Sequence, residues 1–132
     1  MNIYLDYRSN EYAHLSPECY CGGVAPAAAA CGVAYLRGDS AQVLNDIVRT
    51  GLGNQAGIIC DGAKPSCAAK IASSVEAGIL GYHMYQNGQQ FRGGDGIVSK
   101  GVENTIRNIG MLGHDGMRET DKEIVKIMMQ KP

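Results

Sequence analysis

Large aromatic side chains are scarce in this chain of 132 residues, which has one Phe, no Trp and seven Tyr. Its core must therefore be built from Ala, Val, Ile, Leu and Met. Such short side chains fill space only when backbones come close together. Eighteen glycines and the runs of alanine permit that approach, as in tight helix packing. The apolar share of 45% supports a globular chain. A mass of 14.0 kDa gives room for one domain, residues 1–132, with a real core.

Charge excludes several classes of partner. A net charge of −1 and a pI near 6.3 leave no basic footprint for nucleic acid or for an anionic membrane. Residues 1–6 have neither the charged start nor the apolar stretch of a secretory signal. No apolar run approaches the ~18–20 residues of a membrane span. Five cysteines, an odd number, read as reduced cytoplasmic thiols rather than a disulfide frame.

Periodicity predicts an all-α chain of about five helices in a compact Ala/Gly-rich bundle. Residues 1–18 are polar and Tyr-rich and read as irregular, although Ile3, Leu5 and Tyr7 alternate. Pro26 is placed at a helix start, followed by helix from Ala27 to Leu36 and a stop at Gly38. Asp39 or Ser40 caps the next helix, with Gln42 set for a capping box. Its apolar face is Val43, Leu44, Ile47 and Val48, and Gly51, Gly53 and Gly57 are expected to break it up. Pro65 opens a third helix whose expected buried stripe is Ala68, Ile71, Ala72, Val75 and Ile79. Asn87-Gly88 ends it, and residues 89–96 form a loop with Gly93-Gly94-Asp95-Gly96 as its most flexible part. Val98, Val102, Ile106 and Ile109 mark a fourth helix. Thr120 and Glu123 form a capping box for a fifth, with Ile124, Val125, Ile127 and Met128 as its apolar positions.

Chemistry is concentrated in the thiols. Cys60 and Cys67 flank an Asp-Gly-Ala-Lys-Pro turn that runs straight into the third helix, and Cys19-Tyr20-Cys21 precedes the first Ala/Gly-rich helix. Thiolates gathered at helix mouths suit a soft metal or an iron–sulfur cluster. A tetrahedral zinc site built from Cys19, Cys21, Cys60 and Cys67 is the rival. Zinc knuckles favour two to four residues between paired cysteines, and intervals of one and six fit poorly. Cys31, alone inside an alanine helix, reads as a small buried hydrophobe.

The same residues carry a family resemblance. The chain reads Leu15-Ser16-Pro17-x-Cys19-x-Cys21-Gly22, then Ala28-Ala29-Ala30-Cys31-Gly32-Val33-Ala34-Tyr35-Leu36-x-Gly38. It continues Gly57-Ile58-Ile59-Cys60-Asp61-Gly62-Ala63-Lys64-Pro65-Ser66-Cys67-Ala68-Ala69-Lys70. Downstream lie Gly94-Asp95-Gly96-Ile97-Val98, Val102-Glu103-x-Thr105-Ile106-Arg107-Asn108-Ile109-Gly110 and Gly116-Met117-Arg118-Glu119-Thr120-Asp121-Lys122-Glu123-Ile124. From about Ile3 to Met128 this resembles the L-cysteine desulfidase branch of the iron–sulfur L-serine dehydratase α-chain family. Members of that family are considerably longer, and the likeness is to their C-terminal part. The resemblance therefore implies a fragment, one subunit of a split enzyme, or a truncated remnant without chemistry of its own.

The resemblance implies a [4Fe-4S] cluster held by Cys60, Cys67 and one of Cys19 and Cys21, with Cys21 preferred because it adjoins the Gly-Gly turn. It implies β-elimination from a small amino acid, giving pyruvate and ammonia. L-cysteine would release sulfide and L-serine water. The Cys-Asp-Gly-Ala-Lys form favours the L-cysteine branch, since the dehydratase branch has a Cys-Asp-Pro turn and wider cysteine spacing. It also implies a partner subunit carrying the N-terminal portion, or a homo-oligomer.

Other side chains are candidates by type. Lys64, beside a proline-started helix, can hold a substrate carboxylate together with free helix N–H groups. Asp61 suits the turn itself. His14, five positions before Cys19, leads His83 and His114 as a base, those two reading as surface and turn residues. Asn54 and Gln55 can offer neutral hydrogen bonds to a substrate, or Asn54 can end its helix. Arg118, Glu119, Asp121 and Lys122 read as a solvated helix start. Met128 and Met129 read as packing near a frayed end.

Overall fold

A computed structural model describes residues 20–59 and 65–130, apart from the side chains of residues 20–27. Five α-helices account for most of these residues, and no strand occurs among them. They are α1 (Tyr20–Leu36), α2 (Ala41–Gln55), α3 (Pro65–Gln86), α4 (Val102–Met111) and α5 (Arg118–Met129). A π-helical turn, Leu112–Gly116, joins α4 to α5. The expected all-α class is borne out.

Among the described residues, helices α1, α2 and α3 pack on one another, α4 joins against α2, and α5 leans on the π-helical turn. The core is made of short side chains: Ala30, Cys31 and Ala34 from α1 meet Val43, Ile47, Val48 and Leu52 from α2. Ile47 is fully buried, and burying a side chain of that size contributes about 1.5–3 kcal/mol. Tyr82 and Tyr85 of α3 and Val102, Ile106 and Ile109 of α4 close the sides. The Arg37 guanidinium lies 5.4 Å from the Tyr82 ring centroid and joins the end of α1 to α3.

Several helix ends differ from expectation. Pro26 lies inside α1 rather than at its start; it costs one backbone hydrogen bond, and the alanine-rich sequence after it continues the helix. Ser40 is the N-cap of α2, which makes Val43 rather than Gln42 the third helical residue, so no capping box forms. Gln42 instead donates to the buried Asp46 carboxylate at 3.1 Å. α2 runs through Gly51 and Gly53 to Gln55, because packed neighbours outweigh glycine's weak helix preference. α5 begins at Arg118, so Thr120 is already inside it and caps nothing.

The largest difference concerns α3. Its buried residues are Ser74, Ala77, Gly78 and Gly81, spaced i, i+3, i+4, i+7. The apolar stripe expected to be buried points the other way: Ile71 and Ile79 are 39% and 47% exposed, and Ala68 and Ala72 are exposed too. Close approach explains the choice. A Cβ on Gly81 would lie 3.2 Å from Thr50 Cβ, so α2 and α3 cross where one of them has no side chain.

The 87–101 segment is tied down rather than loose. Gly94 N–H donates to the Val98 carbonyl at 3.1 Å, and Arg92 N–H to the Asp95 carboxylate. Thr105, fully buried in α4, accepts from Ser99 N–H at 3.1 Å and places its hydroxyl 3.3 Å from the carbonyls of Ser99 and Gly101. Asn108 adds donations to the Ile97 carbonyl and Ser99 Oγ. At the other end Arg49 pairs with Asp46 on α2 and reaches Gln90 Oε1 at 3.1 Å. Val98, expected in a helix, is a buried loop residue seated over Gly53.

Candidate functional site

The site is the junction where α2 hands the chain to α3. α2 ends at Gln55, Gly57 turns the backbone with φ +96°, and Ile58 N–H returns to the Gln55 carbonyl at 3.2 Å. Pro65 starts α3, where its missing N–H costs nothing because the first helical donors have no partner in the helix. Residues 60–64 lie between these ends and outside the described residues, so Cys60, Asp61 and Lys64 receive no structural placement. The same holds for His14 and Cys19 and for the side chain of Cys21.

Two contacts fix the ends of the junction. Lys70 Nζ donates to the Ile59 carbonyl at 2.8 Å, linking the second turn of α3 to the residue before Cys60. Deeper in, Ser74 Oγ lies 3.1 Å from Gln55 Oε1 and 2.8 Å from the Lys70 carbonyl. A hydroxyl has one proton, so Ser74 serves one of these acceptors at a time. Gln55, a candidate for binding substrate, is thus a buried brace between helices. Asn54 is exposed and stands within α2, whose C-cap is Ala56, so it does not end the helix.

Cys67 stands half-buried in the first turn of α3. That position lies at the positive end of the α3 helix dipole. Cys31 is its opposite. It is buried in α1, donates to the Leu44 carbonyl with Sγ at 3.4 Å, and burial pushes its thiol up to about 11. Such a thiol stays protonated and makes a poor ligand. Among the described residues no group of three or more His, Cys, Asp or Glu gathers in one place. The described member of the expected cluster set, Cys67, has an environment that fits a soft metal–sulfur group, and Cys31 does not.

The two described histidines stand as expected. His83 is exposed at the end of α3, edge-on to Tyr82 with centroids 5.8 Å apart. His114 is exposed in the π-helical turn, its Nδ1 2.6 Å from Asp115 Oδ1. Lys70 and Ser74 were not singled out from the sequence. They follow Cys67 at i+3 and i+7, so tracing the helical face that begins at Cys67 selects both.

These residues lie in a region with known relatives. The pattern described as "Serine dehydratase alpha chain" matches residues 6–126. The chain belongs to the serine dehydratase alpha chain family. A UPF0597 protein of Desulfitobacterium hafniense is 56% identical over 115 residues, which cover 86% of this chain and 27% of that protein. A UPF0597 protein of Lachnoclostridium phytofermentans is 44% identical over 129 residues, or 97% of this chain and 30% of its own length. One from Treponema denticola is 45% identical over 115 residues, covering 86% and 26%. The chain therefore spans less than a third of the length of these relatives. No solved structure matches it. Among the described residues no helix is long and apolar enough to cross a membrane.

Proposed function

We propose that this chain is the cluster-bearing region of an iron–sulfur lyase that cleaves L-cysteine to pyruvate, ammonia and sulfide by β-elimination. The observation that carries the reading is the placing of Cys67 in the first turn of α3, seven positions after Cys60 in the sequence. In this reading Cys60, Cys67 and one of Cys19 and Cys21 hold a [4Fe-4S] cluster, with Cys21 preferred. When bound, the cluster supplies an open iron site whose Lewis acidity assists departure of a thiol.

The remaining roles belong to the chain's own residues. Lys64 and the first-turn N–H groups of α3 hold the substrate carboxylate. His14 is the base for the substrate α-proton. Lys70 holds the carbonyl of Ile59 and so steadies the approach to Cys60. In this reading the thiols are kept reduced and the protein is cytoplasmic. The family description "alpha chain" and the short span relative to its relatives favour a partner chain that completes the active site.

The family description also favours L-serine as a second substrate, with a hydroxyl leaving in place of the thiol. Turnover of both amino acids by the assembled protein separates the two. The ligand assignment is tested by anaerobic reconstitution with iron and sulfide, followed by metal analysis and the visible spectrum. Cys60→Ala and Cys67→Ala each abolish iron binding, and Cys31→Ala does not. A full cluster in Cys60→Ala overturns the assignment. A folded helical wild-type chain that binds no iron makes the N-terminal portion essential and favours a remnant or an incomplete subunit.

A further inference from the structure

The outer face of α3 is an apolar surface left open among the described residues, as is the end of α1 at Val33, Tyr35 and Leu36. Helix α3 has 22 residues and two formal charges, Lys70 and Glu76, and Lys70 is turned toward the α2–α3 junction. Ala68, Ile71, Ala72, Val75 and Ile79 form one continuous stripe on the side away from α1 and α2. Ile71 and Ile79 are 39% and 47% exposed, and the neighbouring Leu80 is 50% exposed. A solvated helix face normally carries charge; α5 does, with Lys122–Glu119 and Lys126–Glu123 pairs. Contiguous apolar surface of this kind marks a contact. α3 is not apolar enough to cross a membrane.

The length of the relatives says what covers it. They extend over three to four times the matched region, so 70–74% of each lies outside it (100 minus 30 and 100 minus 26). That additional chain offers a partner for apolar surface that the matched region leaves open, and the stripe begins at Ala68, next to Cys67. We infer that the stripe Ile71, Val75 and Ile79 is the docking surface for the complementary portion of the family fold, in the same polypeptide or as a separate chain. That portion presents an apolar face to α3 and is thereby held beside Cys67. The inference rests on the reading that a further portion completes the protein, but not on the cluster.

The test uses the full-length Desulfitobacterium hafniense relative with its matching 115 residues replaced by those of this chain. Ile79→Ala and the double variant Val75→Asp/Ile79→Asp are made in this chimera and in the isolated chain, both without iron. Thermal unfolding and sedimentation are measured. In the isolated chain Ile79→Ala shifts the midpoint by less than about 2 °C, and in the chimera it lowers it by about 5 °C or more. The aspartate pair stops the chimera from accumulating as a folded species and leaves the isolated chain folded. Equal small shifts of Ile79→Ala in both settings overturn the inference. A concentration-dependent dimer of the isolated chain that the aspartate pair abolishes, with the chimera unaffected, assigns the face to a second copy and also overturns it. Iron binding is measured separately on the wild-type chimera, so a docked face without a cluster refutes the lyase reading alone.

Discussion

Replacing Gly53 with alanine sets two opposed effects against each other, and the geometry decides between them. Gly53 lies inside α2, where alanine is intrinsically better than glycine by about 1 kcal/mol. A Cβ at this position would stand 2.7 Å from Val98 Cγ2 and 3.3 Å from Phe91 Cδ2. Val98 is 3% exposed and stiff at χ1, so its methyl cannot swing away without moving the tied 87–101 segment. Overpacking of this kind costs about 1–3 kcal/mol. Gly53→Ala is therefore destabilising by about 1 kcal/mol net, against the propensity scale. Gly32→Ala is the control: it lies inside α1 with nothing within 4 Å of the new Cβ, and it stabilises by up to about 1 kcal/mol. Urea unfolding followed by helical circular dichroism measures both variants at equal slope. In a Val98→Ala background the cost of Gly53→Ala shrinks, because the clashing methyl is gone. If Gly53→Ala stabilises as much as Gly32→Ala, the close approach of Val98 to α2 is refuted.

Three further outcomes follow from other contacts. Asp46→Ala leaves the mostly buried Arg49 without its carboxylate and loosens the link to Gln90, costing about 3 kcal/mol in urea unfolding; a loss below about 1 kcal/mol removes the pair from the fold's support. Thr105→Val keeps the shape but strands Ser99 N–H, lowering stability by about 1–3 kcal/mol and raising amide exchange across 97–101 before the rest of the chain. With a thiol near 11, Cys31 is alkylated about 100-fold more slowly at pH 8 than an ordinary thiol at about 9, and comparable rates contradict its burial. The same shift fixes a pH effect. Above about 9 the unfolded thiol loses its proton while the folded one keeps it, so its contribution to stability is complete below that pH and falls away toward 11. Cys31→Ala flattens this part of the stability profile.

Much of the fold was legible from short-range signals. Val43, Ile47 and Val48 share one helical face and are buried together, as their spacing predicts. Pro65 opens α3, Asn87-Gly88 follows its end, and Cys31 is the buried apolar thiol expected of an isolated cysteine among alanines. Of the candidate site, the sequence singled out Cys67 but not Lys70 and Ser74. Their bonds to Ile59 and Gln55 join residues 11 and 19 positions apart, which local pattern does not reveal.

Periodicity alone established that α3 has a large apolar stripe; tertiary structure decided which way that stripe faces. Three helices with few large aromatics can bury enough surface only by approaching closely, and at their crossing a Cβ on Gly81 would stand 3.2 Å from Thr50 Cβ, tighter than ordinary contact. The small face of Ser74, Ala77, Gly78 and Gly81 therefore turns inward, and the isoleucines turn out. Burying the larger side chains against α2 would strengthen each apolar contact but push the helices apart. In this chain the gain from many close contacts between backbones and short side chains prevails.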